Sequence, residues 1–112
     1  MILAMRREDL PRGLRPFVDQ EGRLIQWPSR FKLQQMAAAL LATRFEPGRN
    51  YVEKEVNAVL VEWHTFGDWA LLRRVLCDWL FLDRESDCSR YWVRTGAAER
   101  IDEQLGPAGA RA

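Results

Sequence analysis

Residues Asp68 to Trp79 read DWALLRRVLCDW. Trp69, Leu72, Val75, Leu76 and Trp79 recur at helical spacing, so the stretch predicts a helix with one apolar stripe, and Asp68 offers its N-cap. At about 100° per residue the opposite face carries Ala70, Arg74 and Cys77, with Arg73 at its flank. The fold and the function both turn on what those two adjacent arginines do. They either solvate the outside of a core helix or present that face to a partner.

Working backwards along the chain, YVEKEVNAVLVEWHT (51–65) places Val56, Leu60 and Trp63 on one face with Val59 beside them, and predicts a helix. Glu53 and Glu55 fall in its first turn, where negative charge complements the helix dipole. SRFKLQQMAAALLATRF (29–45) predicts an earlier helix, capped by Ser29, with Leu33, Met36, Ala37, Leu40 and Leu41 inward. It stops at EPGRN, where Pro47 and Gly48 forbid continuation. Before it, Gly22 punctuates the chain and Arg23 to Trp27 reads as a short strand ending at Pro28. After the DWALLRRVLCDW helix, LFLDRESDCSRYWVR is two β-prone runs around a polar turn, which predicts a hairpin.

Strand, three helices and a hairpin is the order of an α+β winged helix, in which the early strand joins the hairpin and the second and third helices form a helix-turn-helix. Residues 17–94 are expected to form that domain. Residues 1–16 are expected to be a flexible arginine-rich arm, and residues 95–112 a flexible tail in which only AAERIDEQL can make a short helix. In a winged helix the third helix commonly enters the major groove while the wing rests on the backbone. The residues expected to contact duplex DNA are therefore Ala70, Arg73, Arg74, Arg84, Arg90 and Arg94. Arg6, Arg7, Arg12 and Arg15 would add an arm.

Charge does not make this automatic. The 112 residues carry 17 basic and 16 acidic side chains, a net +1, and residues 17–94 are neutral overall. DNA affinity must then come from local patches and not from a whole-protein field. The bases are 15 arginines with only Lys32 and Lys54, and a planar guanidinium suits phosphates and guanine edges. Against that, Arg74 can pair with Asp78 one turn on, Arg73 can reach an acid of the second helix, and Asp83, Glu85 and Asp87 offset the hairpin arginines. The alternative expectation is a dimerisation or protein-interaction module, favoured by the neutral domain and by five tryptophans. Trp63, Trp69 and Trp79 fall on predicted core stripes, while the orientation of Trp27 and Trp92 is open.

Catalysis finds little support. His64 is the single histidine, at the end of the second helix with no nucleophile near it in sequence, and its expected role is to complement the helix dipole. EPGRN lacks the Lys-Ser or Lys-Thr of a phosphate loop. Cys77 and Cys88 have no metal-ligand spacing and are read as reduced thiols. No enzyme activity, metal or cofactor is expected. The chain contains no apolar run long enough to span a membrane and no signal peptide at its start, so a cytoplasmic protein is expected.

Four spaced segments, GRL…WPS, RFEPGRNYVEKEVNAVL, LLRRVLCDWLFLDRE and SRYWVR, resemble the prokaryotic family called domain of unknown function 2087. The resemblance covers about residues 17 to 94. It implies a winged-helix-like module of transcriptional regulators, without catalytic or ligand residues to carry over. Two positions depart from the family pattern. Val52 stands where a capping Thr is usual, and Cys88 where a turn Gly is usual between Asp87 and Ser89.

Overall fold

The structure is a computed structural model and describes residues 5–106. Two 3-10 turns, Arg7–Asp9 and Arg15–Phe17, lead into helix α1, Phe31–Ala42. Helices α2, Glu53–Trp63, and α3, Trp69–Asp78, follow, then an antiparallel hairpin of β1, Leu82–Arg84, and β2, Tyr91–Val93. Helix α4, Ala97–Leu105, ends the described chain. The described residues form a small α+β fold of four α-helices and one two-stranded sheet. Among the described residues no helix is long and apolar enough to cross a membrane.

Helix α1 is the centre of the core. Seven consecutive residues, Met36 to Ala42, are buried, so this part of the helix is enclosed all round and not only along the expected stripe. The covering comes from both ends of the chain. Met5, Leu10 and Leu14 enter the core from the N-terminal segment, and Ile101 and Leu105 enter it from α4, which packs on α1. The ends were expected to be loose. Their described parts instead supply apolar side chains that α1 needs, and the remaining residues, 1–4 and 107–112, lie outside the described structure.

Local chemistry departs from expectation at three places. Arg30, not Ser29, takes the N-cap position of α1. Arg23 to Trp27 forms no strand: Leu24 makes only isolated bridges, with Val18 and with His64. The bridge beside the hairpin comes from Tyr51, just before α2, whose N–H and C=O exchange bonds of 2.8 and 2.7 Å with Tyr91. Pairing partner was decided by proximity in space. Leu24 donates to Trp63 O and accepts from Thr65 N, so its backbone is already used at the end of α2.

A buried cation ties these pieces together. Arg44, 2% exposed, lays its guanidinium 3.7 Å from the centre of the Trp63 ring and donates to Met5 O at 3.1 Å and Gly22 O at 3.3 Å. Burial pulls its pKa down to about 10, with Glu62 and Asp19 acting the other way, so it stays charged at neutral pH. Gly22 is what lets the chain come this close. Its φ is +84°, and a Cβ there would lie 2.1 Å from Met5 O. Gly22→Ala is therefore expected to destabilise by about 2 to 4 kcal/mol, from left-handed backbone and backbone clash together. Gly48 has the same positive φ and open space, so Gly48→Ala should cost only about 1 kcal/mol. Urea unfolding of the two variants checks the difference.

Candidate functional site

The α2–α3 turn is built on His64. Its Nε2 accepts from Asp68 N at 2.9 Å, which requires the ring proton on Nδ1, and Nδ1 donates to Leu60 O in the last turn of α2. The histidine thus satisfies a terminal carbonyl of one helix and the first backbone donor of the next. The Asp68 side chain makes no cap bond, although the residue occupies the N-cap position. At the start of α2, Val52 has no hydroxyl to give, and its N–H instead donates to Glu55 Oε1 at 3.0 Å.

Helix α3 buries Leu72 and Leu76, and Val75 and Trp79 pack against the core. Trp69 leaves the expected stripe and is 41% exposed, since it lies at the first position of the helix. The outer face meets the hairpin across a cleft of about 510 Å3. Ala70, Arg73, Arg74, Cys77 and Asp78 form one wall, and Arg84, Cys88 and Tyr91 of the hairpin form the other, with Glu53 of α2 between them. Of the six residues expected to bind DNA, Ala70, Arg73, Arg74 and Arg84 share this cleft. Arg90 and Arg94 do not line it. Arg90 pairs with Glu85 and lies over the Trp92 ring, and Arg94 pairs with Asp83 at 3.3 Å.

The two adjacent arginines have different environments. Arg73 turns toward α2: it donates to Asn57 Oδ1 at 2.5 Å and lies 3.7 Å from Glu53 Oε1, with its side chain 24% exposed. Arg74 is 81% exposed, and its pairing with Asp78 is a distant 3.8 Å. One tethers the helix pair, and the other stands in solvent. Arg84 donates to Cys88 Sγ at 3.1 Å and to Glu85 O at 3.4 Å, with no carboxylate within ion-pair distance among the described residues. The cleft therefore holds three guanidiniums against two carboxylates.

Glu53, Asn57 and Tyr91 were not expected at this site. Glu53 looked like a helix-dipole residue, and nothing in the order of residues says that Tyr91 will reach it. Hairpin register does so: Tyr91 lies opposite Arg84 and bridges to Tyr51, which directs its hydroxyl onto Glu53 Oε1 at 3.0 Å. Cys88 has φ +63°, a conformation natural to glycine, so the turn holds a left-handed position with a cysteine in it. Cys77 is half-buried, and burial raises its thiol pKa. Trp27 stacks on Trp79, so it and Trp92 go to separate partners.

A family model described as an uncharacterized protein conserved in bacteria, DUF2087, matches residues 23–93. The chain belongs to this family. No curated protein and no solved structure matches it. The matched span begins at the Arg23 side of the Gly22 turn and ends with β2, so it holds α1, α2, α3, the hairpin and the whole cleft.

Two outcomes follow from this geometry. Arg73→Ala removes the donor to Asn57 Oδ1 and the cation beside Glu53 and should cost about 1 to 3 kcal/mol, whereas Arg74→Ala should stay within about 0.5 kcal/mol of the parent in urea unfolding. Burial, then the hydrogen bond to the Glu53 carboxylate, pushes the Tyr91 phenol well above its ordinary pKa. The folded state then holds a proton that the unfolded state releases, so this contribution is complete below about pH 10 and is lost as pH rises beyond it. Tyr91→Phe should flatten that alkaline loss when unfolding midpoints are compared across pH.

Proposed function

We propose that this protein is a winged-helix DNA-binding protein of transcription regulation, with α3 as the helix that enters the major groove and the hairpin as the wing. The observation that carries the reading is Arg74, a charge 81% exposed on the outer face of α3, which shares a cleft with Arg84 of the hairpin and with the small, exposed Ala70. Two guanidiniums on opposite walls suit a duplex edge, one toward bases and one toward a phosphate. The order of elements supports the same reading. Tyr51, between the first and second helices, bridges to Tyr91 of the hairpin, and α2 packs on α3 as in a helix-turn-helix.

The carboxylates around the cleft do not defeat this. The Arg74–Asp78 pair is exposed and long, a type nearly neutral in stability, so a phosphate or guanine edge can replace the carboxylate at little cost. Arg73 is a positioning residue in this scheme, because its contacts hold α3 against α2. Arg90 and Arg94, each on an acidic partner of the hairpin, are secondary contacts to the backbone.

Fluorescence anisotropy with a labelled random duplex at about 50 mM salt tests the proposal, since non-specific contacts are strong in that regime. Binding is expected. Arg84→Ala should weaken it and reduce the slope of log K against log salt by about 0.9, the signature of one lost phosphate contact. Arg74→Ala should weaken it with the unfolding midpoint unchanged. Absence of binding by the folded parent protein removes the proposal.

A further inference from the structure

We propose that the face formed by Phe31, Trp79, Arg100 and Glu103 is the two-fold interface of a homodimer. This face shares no lining residue with the α3–hairpin cleft, and the inference stands without the DNA reading.

The centre of the face is aromatic. Trp79, at the end of α3, stacks on Trp27 at 6.3 Å between ring centres and receives the Phe31 ring edge-on at 5.3 Å. Phe31 opens α1 and is 59% exposed, more than any other large hydrophobic residue described. Leu80, next to Trp79, is exposed as well. Beside this cluster runs a groove of about 140 Å3, with Trp79, Phe81 and Gln35 on one side and Arg100, Glu103 and Gln104 of α4 on the other. An apolar centre with a charged rim is the anatomy of an association surface.

Charge selects the occupant. Arg100 and Glu103 are three residues apart, hence on one face of α4, and carry opposite signs. Neither takes part in an ion pair among the described residues, and Arg100 makes only a 3.5 Å bond to Gly96 O in its own helix. A two-fold axis passing between them runs two copies of α4 antiparallel. Arg100 then meets Glu103 of the second copy, and the reverse pair forms at the same time. A patch that carries both signs at this spacing is complementary to itself, which is what an isologous interface requires. A partner of one charge sign would leave one of the two residues against its like.

Sedimentation velocity across protein concentration, up to about 100 μM, is the first measurement, with a species of twice the 13.1 kDa chain mass expected. Each substitution acts twice in a symmetric dimer. Arg100→Glu and Glu103→Arg alone should each weaken association by about tenfold or more, and the two together should restore it. Phe31→Asp should give a monomer with an unchanged circular dichroism spectrum, because the residue is exposed. A parent protein that is monomeric throughout overturns the proposal. So does a dimer indifferent to Phe31→Asp, or one that the double charge reversal fails to restore.

Discussion

The burial of the Arg44 cation is the constraint on which the rest of the structure depends. A guanidinium taken out of water needs replacements for its hydration, and among the described residues the Trp63 ring at the end of α2, the carbonyl of Met5 and the carbonyl of Gly22 serve as such. Each of those parts is thereby positioned. The N-terminal segment is drawn across the end of α1, the Gly22 turn is held against it, and α2 is fixed at its C-terminal end. Leu24 then has nowhere to form a strand, because its backbone groups meet Trp63 and Thr65. The Arg44 contacts, the Leu24 backbone bonds and the burial of Leu10 and Leu14 thus hold the N-terminal segment together.

From Trp63 the chain passes through His64 into α3. The imidazole serves the last turn of α2 and the first backbone donor before α3, so the angle between the two helices is set without a side-chain cap at Asp68. Arg73 adds a second tie, to Asn57 and Glu53, and Tyr91 adds a third by placing its hydroxyl on the same carboxylate. Glu53 is therefore the point where α2, α3 and the hairpin meet. That convergence leaves Arg74 and Arg84 sharing a cleft, with the polar network behind them. A surface that must keep its shape while exposing charge needs such a backing, because side chains held by packing and hydrogen bonds lose less freedom when a ligand arrives.

How much of this was legible in the residues follows from the range of the interactions involved. The three helices from 31 to 78 and the hairpin are set by apolar spacing and by Pro-Gly and polar turn signals, which act over a few residues, so they could be read directly. So could the Arg74–Asp78 pair, since it follows from i,i+4 geometry within one helix, whereas Glu53 was picked out as the acid of α2 beside Arg73 only by the packing of the two helices. The end of α3 was legible too, at Trp79, but the shape of the exit was not. No glycine marks it, and Leu80 takes the left-handed conformation, with φ +67°, while Phe81 N reaches back to Leu76 O. The gain is a sharp reversal into the hairpin, which local preference alone would not choose.

The sequence by itself determined the α+β class, the helix and hairpin segments, the outward face of α3 and the family, because periodicity and turn chemistry are properties of neighbouring residues. Only the tertiary structure decided which arginine of the adjacent pair is a tether and which is presented, that Tyr51 and not Leu24 bridges to the hairpin, and that both ends of the described chain belong to the core. Those outcomes rest on contacts between residues far apart in the chain: Arg44 with Met5, Tyr91 with Glu53, Arg73 with Asn57. Such contacts depend on which surfaces are still open once the helices have packed. A side chain's neighbours along the chain carry no record of that.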